Sequence, residues 1–343
     1  MTKVNRFLFP VGHGGFAAEA IEDKYLAVID CGSDSCPTRV SMYIDEIKKR
    51  GFNCVDRLFI THFDNDHVKC IKKLIDTVGV KEVVVPFIPH DMRYVYNIFT
   101  KGAYLELLGL FNNHENRISR ENNQGNEIEL SEINEEKSFS PISTYDIWEW
   151  NVKCQLTMIE WNDLRNELIS ESLDMNKLTS SIESDYIEAN RPVINKCFKT
   201  AFGVTGPNCK GLIVLSQRCK NVQLDNCIIK QGITQLQPTT NTGCLYTGDA
   251  RLKNNAQVES FVKNNLSDSK ILLTQIPHHG SHANSDDNFV ASYDSDYYFY
   301  HDKDDTRIKK NKLYKLLQPS QPSILLDVRD CCKDLIWNCI ELK

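Results

Sequence analysis

Four potential metal ligands lie within six positions of the chain, in the run Thr61-His62-Phe63-Asp64-Asn65-Asp66-His67. The apolar stretch Arg57–Thr61 predicts a buried strand before the run, and apolar residues at helical spacing predict a helix over Asp66–Val78 after it. At such a turn the chain can curl around a small ion, and a helix N-terminus favours carboxylates. A helix cap would explain one Asp or Asn here, but not the two histidines. We therefore predict a metal site from His62, Asp64, Asp66 and His67.

Two later segments add candidate ligands. Thr247-Gly248-Asp249-Ala250 follows a predicted strand, Cys244–Thr247, and Pro277-His278-His279-Gly280-Ser281 ends another, Lys270–Pro277. Adjacent residues of a regular strand point to opposite faces, so His278 and His279 can serve one site only if the strand breaks at Gly280.

The order of these motifs resembles the metallo-β-lactamase superfamily. His62-x-Asp64-x-Asp66-His67 is similar to the family signature H-x-H-x-D-H, with Asp64 in place of the second histidine. Gly12-His13-Gly14-Gly15, together with Leu26–Gly32, is similar to the family's opening hairpin. The combination of H-x-D-x-D-H, T-G-D-A and P-H-H-G-S most closely resembles the hydrolase domain of bacterial competence (DNA-uptake) proteins.

The resemblance implies an α+β fold, an αββα metallo-β-lactamase-type sandwich, with a dinuclear centre. One ion would take Asp66, His67, Asp249 and a late histidine, and the second would take His62, Asp64 and the bridging Asp249, with His279 as a further candidate. The predicted metal ligands are thus His62, Asp64, Asp66, His67, Asp249, His278 and His279, of which Asp66 and His279 are also the candidate catalytic residues. Three carboxylates among the imidazoles make this site harder than an all-histidine zinc site, so two ions of manganese, iron or zinc are compatible with it.

Three residues are predicted to lie around the ligands. His13 is either a donor that supports the ligands or an ordinary loop histidine. Asp30, at the end of the predicted strand Tyr25–Asp30, is expected to brace the motif turn. Asn208 stands where most family members have a histidine and where the competence-type subgroup commonly has asparagine, which removes one imidazole. His301 is not expected to bind metal.

Charge and composition divide the chain into three parts: residues 1–87 and 191–343 as the two halves of the domain, and 88–190 as an insertion that acts as a lid or binds a partner protein. Residues 88–190 hold 19 acidic and 8 basic side chains, whereas the remainder holds 27 acidic and 32 basic ones. The positive remainder suits a polyanionic substrate.

The expected environment is the cytoplasm. No apolar run approaches the roughly 18 to 20 residues of a membrane helix, so no membrane partner is expected. The N-terminal stretch lacks a signal-peptide layout. The thirteen cysteines include no C-x-x-C pair, which indicates free thiols in a reducing compartment.

Two metal ions bridged by a carboxylate can activate water against phosphodiesters, thioesters, lactones or β-lactams. The competence-like motifs and the positive remainder favour a phosphodiester, in a nucleic acid or a nucleotide. Two alternatives stay open. One is a carbonyl-ester, thioester or lactone hydrolase of the same fold, and the other is a degenerate module that binds nucleotide or nucleic acid without turnover.

Overall fold

The structure is a computed structural model that describes residues 1–112, 128–141, 147–179, 184–203, 210–237, 239–285, 288–302, 324–327 and 335–343, together with Ile308 and Leu317. Its strands are β1 (Thr2–Leu8), β2 (Gly14–Ile21), β3 (Tyr25–Ser33), β4 (Val55–Phe59), β5 (Val80–Pro86), β6 (Glu129–Ile133), β7 (Glu136–Phe139), β8 (Trp148–Cys154), β9 (Leu212–Arg218), β10 (Leu224–Gln231), β11 (Thr234–Gln235), β12 (Cys244–Tyr246), β13 (Ile271–Gln275), β14 (Ser295–Tyr300), β15 (Ile324–Asp327) and β16 (Ile336–Leu342). Its helices are α1 (Pro37–Lys49), α2 (Asn65–Val68), α3 (Ile71–Thr77), α4 (Arg93–Phe99), α5 (Ala103–Asn112), α6 (Met158–Ser170), α7 (Met175–Leu178), α8 (Ser184–Ala189), α9 (Arg191–Phe202), α10 (Ala256–Asn265) and α11 (Phe289–Ser292). None of the described helices has the length and apolar character needed to cross a membrane.

The described strands form two sheets. The first has the order β11-β10-β16-β1-β2-β3-β4-β5-β6, and the second has the order β15-β14-β13-β12-β9-β8-β7. In the first sheet β3, β4, β5 and β6 run parallel, whereas β1 pairs antiparallel with both β2 and β16. In the second sheet β12, β13, β14 and β15 run parallel, so their carboxyl ends meet at one edge.

Strand β9 shows that the second sheet is buried on both faces. Leu212 and Val214 join the core between the sheets, whereas Ile213 and Leu215 pack in a second cluster with residues of α10. This alternation follows from the two-residue period of a strand. On the first sheet, α1 buries Val40, Ile44 and Ile47. The predicted α+β class and αββα sandwich are confirmed.

A buried ion pair of the first sheet is hydrogen-bonded to the second sheet. Arg6 of β1 donates through Nε to Glu19 of β2 at 2.7 Å, and neither side chain is exposed. Glu19 also accepts hydrogen bonds from side chains of the second sheet, namely Trp148, Trp150, Ser216 and Tyr246. Burial would raise the pKa of Glu19, but Arg6, Ser216 and Trp150 lower it below its usual value. The carboxylate is therefore fully hydrogen-bonded in the core.

The predicted insertion, 88–190, contributes to both sheets. Strand β6 extends the first sheet beside β5, and β7 and β8 extend the second beside β9. Trp148, Trp150 and Val152 alternate toward the core, a short pattern that the acidic composition around it obscures. The described helices of this segment lie outside the sheets.

Other elements differ from the sequence prediction. The predicted helix Asp66–Val78 is two helices, α2 and α3, because the chain turns at Lys69 and Cys70, where the Cys70 amide donates to the carbonyl of Cys31 in β3. Strands β10 and β16 were not predicted. The sequence also predicts a short helix over Thr306–Leu317, which lies outside the described residues except for Ile308 and Leu317.

Candidate metal centre

Loops that follow five strands converge on one cluster of histidines and aspartates. His13 follows β1, the run from His62 to His67 follows β4, and Asp249 follows β12. His278 and His279 follow β13, and Asp302 follows β14. The fold therefore brings together side chains that are up to 289 positions apart in sequence.

Asp249 lies at the middle of this cluster. Its Oδ2 atom is 3.7 Å from Nε2 of His62 and 3.7 Å from Nε2 of His278. Its Oδ1 atom is 3.6 Å from Nε2 of His67 and 3.7 Å from Nε2 of His279. The two oxygens of one carboxylate thus face two different pairs of imidazoles, which is the arrangement a bridging ligand requires.

Asp66 and Asp64 each lie on one side of Asp249. Asp66 Oδ2 is 3.0 Å from Nε2 of His279 and 3.7 Å from Nε2 of His67. Asp64 Oδ2 is 3.9 Å from Nε2 of His62. One group of side chains is therefore Asp66, His67, His279 and Asp249, and the other is His62, Asp64, His278 and Asp249. Of the two histidines after β13, His278 lies in the group of His62, whereas the sequence analysis gave His279 as the candidate ligand there.

Each imidazole of the two groups is held by its Nδ1 atom. Nδ1 of His62 is 3.0 Å from the Thr61 hydroxyl, and Nδ1 of His67 is 2.8 Å from Asp30. Nδ1 of His278 is 3.1 Å from Asn284 Oδ1, and Nδ1 of His279 is 2.6 Å from the carbonyl of His301. Outer contacts of this kind fix the ring and leave Nε2 for a metal.

The residues present fit a metal centre. Nε2 of His62, Nε2 of His67 and Oδ1 of Asp249 are buried and have no hydrogen-bond partner in the described part of the chain. Buried polar atoms without partners are costly, and these three face one another across a space that a cation fits. Ligand atoms of His62, His67 and Asp249 lie within 4.8 Å of one another, as do those of His62, Asp64 and Asp66.

The centre also concentrates charge. Burial and the nearby charge of His67 lower the pKa of His62 to about 4. Burial, together with Asp249 and Asp66, raises the pKa of Asp64 to about 7. Burial opposes the charged form of His67, but Asp66 and Asp30 outweigh it and raise the pKa of His67 to about 10. Divalent cations offset carboxylate charge of this density.

The chain leaves β13 before the two late histidines. The strand ends at Gln275, and His278 and His279 occupy a turn of 3₁₀ helix with φ of 50° and 54°. This left-handed turn sends both rings toward Asp249, whereas a continuous strand would send them to opposite faces. The break thus lies ahead of the histidines and not only at Gly280, where the sequence had placed it.

Gly248 allows the loop of Asp249 to approach the motif turn. Its φ is 50°, and a Cβ atom built on it would lie 2.4 Å from the Thr61 hydroxyl oxygen. The amides of Thr247 and Gly248 both donate to Gln275 Oε1, at 2.9 Å and 3.1 Å. Only glycine fits this close approach with this backbone conformation.

The three residues predicted around the ligands have different outcomes. Asp30 accepts from the Thr61 amide and hydroxyl, each at 2.8 Å, and contacts His67, so it braces the turn. His13 lies within the cluster, with Nε2 3.6 Å from Asp66. Asn208 lies outside the described residues. The His301 side chain bonds to the carbonyl of Phe9 and not to the cluster.

Sequence reasoning missed four supporting residues. Thr61, Gln275 and Asn284 position candidate ligands or their loops, and Asp302 contacts His13. Thr61 and Gln275 adjoin the ends of β4 and β13, where a polar residue after an apolar strand is a usable signal. Asn284 and Asp302 carry no such signal, because only the tertiary fold places them beside histidines.

No protein-family profile matches the chain, and no curated protein sequence matches it. Among solved structures, it is similar to the metallo-β-lactamase fold protein YhfI from Bacillus subtilis, at 8% identity over 98% of this chain and 99% of that one, with a TM-score of 0.44. It is also similar to a putative metallo-β-lactamase from Thermotoga maritima, at 11% identity over 77% and 92%, with a TM-score of 0.35. CmlA, a diiron β-hydroxylase from Streptomyces venezuelae, gives 11% identity over 87% of this chain, which spans 44% of CmlA, with a TM-score of 0.37. Likeness of fold does not by itself transfer an activity.

Proposed function

We propose that this chain is a metal-dependent hydrolase of the metallo-β-lactamase type that cleaves phosphodiester bonds with two divalent ions. The observation that carries the proposal is the position of Asp249, whose two oxygens lie between two pairs of imidazole Nε2 atoms. The ions would lie on either side of it, held by the two groups of ligands described above. The mixed donors are compatible with manganese, iron or zinc.

When bound, a pair of such ions supplies a hydroxide nucleophile at neutral pH and stabilises charge on the reacting oxygens. The chain's own contribution is to fix the ligands. Asp30 and Thr61 hold the motif turn, Gln275 holds the loop of Asp249, and Asn284 links His278 to that loop by donating to the carbonyl of Asp249 at 2.8 Å. Ligands held rigidly in this way would keep their geometry when the ions bind.

The solvent-exposed side of the centre, where His278 and His13 lie, supports the proposal of a charged substrate. His278 and His13 are 33% and 21% exposed at the side chain, whereas the other imidazoles of the cluster are almost fully buried. Arg251, two residues after Asp249, is exposed and forms no ion pair with any described residue. Its positive charge, after burial, is the second cause of the lowered pKa of Lys210, which places the two cations near each other. An exposed guanidinium two residues from Asp249 would be available to bind a phosphate oxygen of the substrate.

The helices of segment 88–190 support a role in controlling access. Phe63, inside the metal-binding run, packs edge-to-face against Tyr104 of α5, with ring centroids 4.8 Å apart, and against Tyr96 of α4, at 6.1 Å. Lys210 is paired with Glu160 of α6. Helices α4, α5 and α6 of the proposed lid thus contact Phe63 and Lys210, and a protein partner bound to these helices would act through the same contacts.

The test is activity of the purified full chain after metal removal and reloading. With manganese or zinc restored, we expect cleavage of bis-p-nitrophenyl phosphate that a chelator abolishes. A chromogenic thioester and a lactone serve as the comparison, because faster cleavage of either would favour a carbonyl hydrolase. Metal binding without cleavage of any of these substrates would favour a non-catalytic nucleotide- or nucleic-acid-binding module. Single-stranded DNA, double-stranded DNA, RNA and cyclic nucleotides then define the natural substrate class.

A further inference from the structure

A fifth imidazole, His13, lies against the candidate centre. Its ring stacks on that of His279 with centroids 3.9 Å apart, and its Nε2 atom is 3.6 Å from Asp66 Oδ2. The backbone of His13 is fixed as well, since its amide donates to the Ser35 hydroxyl at 2.8 Å and its carbonyl accepts from the Asp34 amide at 2.9 Å. The position of this ring is therefore set by the fold.

The other nitrogen of His13 has a buried partner. Nδ1 lies 3.1 Å from Oδ1 of Asp302, and Asp302 is only 2% exposed. Buried carboxylates are costly unless they are paired, so this one has a structural reason to face the imidazole. The pair repeats the arrangement of Asp30 and His67, in which a carboxylate holds Nδ1 and Nε2 points to the centre. Carboxylate–histidine pairs of this kind are typical of metal ligands.

We propose that His13, held by Asp302, is a further ligand of the ion that Asp66 and His279 would bind. This inference rests on the proposed function. Ligand atoms of His13, Asp66 and His279 lie within 4.8 Å of one another. An ordinary loop histidine would need neither a buried carboxylate on Nδ1 nor a second imidazole stacked on its ring.

The consequence is a pair of unequal metal sites. The ion beside Asp66 would have up to five protein ligands, namely His13, Asp66, His67, His279 and Asp249. The ion beside Asp64 would have four, namely His62, Asp64, His278 and Asp249. The first ion is then the more tightly held, and it would be a cation that accepts five mixed nitrogen and oxygen ligands.

The test compares His13→Ala and Asp302→Asn with the parent and with His282→Ala, a control that removes an exposed histidine from the neighbouring loop. Each full-length protein is stripped with a chelator and titrated with Zn²⁺ and with Mn²⁺, and the absorption of its Co²⁺ form is recorded. We expect the parent and the control to bind two ions. In His13→Ala one ion should bind at least about tenfold more weakly, the scale of losing a contact at a metal site, with a changed Co²⁺ spectrum. Asp302→Asn should weaken the binding of the same ion by a smaller factor.

A folded His13→Ala with parental affinity for both ions and a parental Co²⁺ spectrum would overturn the ligand assignment, even if its turnover were reduced. His13→Gln, which keeps most of the side-chain volume, is measured in the same way if the alanine variant does not fold. Measurements on the parent distinguish failure of this inference from failure of the proposed function. A parent that binds two ions and cleaves the diester leaves that proposal standing when His13→Ala behaves as the parent does. A parent that binds no metal overturns both.

Discussion

Asp30 Oδ2 lies 2.8 Å from Nδ1 of His67, so a residue within β3 holds a histidine of α2 in place. The same carboxylate accepts from the Thr61 amide and hydroxyl, and it thereby fixes both ends of the run from Thr61 to His67. We expect Asp30→Asn to weaken metal binding by about 10- to 100-fold, as losses of such outer contacts do. Chelator competition measures the effect. Asp34→Asn, an exposed neighbour, is the control, and equal affinities in the two variants would contradict the role of Asp30.

Gly248 offers a second test, with Gly102 as its matched control. Both glycines have positive φ, of 50° and 95°, but a Cβ atom at Gly248 would meet Thr61, whereas at Gly102 nothing lies within 4 Å. Alanine should cost each protein about 1 kcal/mol or more from the backbone conformation. Only Gly248→Ala should also displace Asp249 and lose metal. Metal content and thermal melting of both variants distinguish the two effects, and a metal-replete Gly248→Ala would show that the close approach is dispensable.

Arg251 is predicted to bind the substrate and not the metals. Arg251→Ala should raise KM for the phosphodiester by about tenfold, the effect of losing one charge-assisted hydrogen bond of about 1.5 kcal/mol, and should leave metal content unchanged. Lys253→Ala removes the same charge from an exposed position of the same loop and should leave KM unaltered. Steady-state kinetics at one ionic strength provide the comparison. Similar small changes in both variants would indicate only a general effect of charge.

Glu19 is predicted to be a major determinant of stability, because it joins the two sheets. Glu19→Ala leaves Arg6 buried without its partner, and such losses cost about 3 to 5 kcal/mol. Glu188→Ala removes one carboxylate of an exposed ion pair with Arg191 and should cost less than about 1 kcal/mol. Denaturant unfolding measures both free energies. A cost below about 1 kcal/mol for Glu19→Ala would contradict its proposed role.

The lowered pKa of Glu19 also predicts a dependence on pH. The group binds a proton less readily in the folded state, so its stabilising contribution is present above the unfolded pKa of about 4.3 and is lost as pH falls through the lower folded pKa. Between pH 7 and strongly acidic pH, the parent should therefore lose more free energy of unfolding than Glu19→Gln does. Parallel curves of unfolding free energy against pH for the two proteins would contradict the lowered pKa of Glu19.

Periodicity predicted the elements whose apolar pattern lies within one short stretch of sequence. The apolar run before His62 and the strand before Asp249 were found because their side chains alternate or cluster locally. Strand β16 was missed, although it pairs with β1 from Thr2↔Leu342 to Leu8↔Ile336, because no local pattern records a partner at the other end of the chain. Strands β6, β7 and β8 were missed because an acidic composition was interpreted as an insertion.

The candidate ligands were predictable for a different reason. His62, Asp64, Asp66 and His67 fall close together in sequence, so their proximity in space follows from one turn. The division of the late histidines between the two groups was not predictable, since it depends on the left-handed backbone of His278 and His279. The contact of His13 with Asp302 depends on the meeting of two loops from different sheets.

The central claim is that Asp249 bridges two metal ions, and Asp249→Asn tests it most directly, since the change removes a charge while keeping the shape. Metal content by elemental analysis, melting temperature and manganese-dependent diester cleavage are measured beside the parent. We predict about two ions per parent chain. The variant should keep a normal melt, lose or loosen one ion, and lose at least about a hundredfold in activity. Full activity with an unchanged metal count would contradict the dinuclear account.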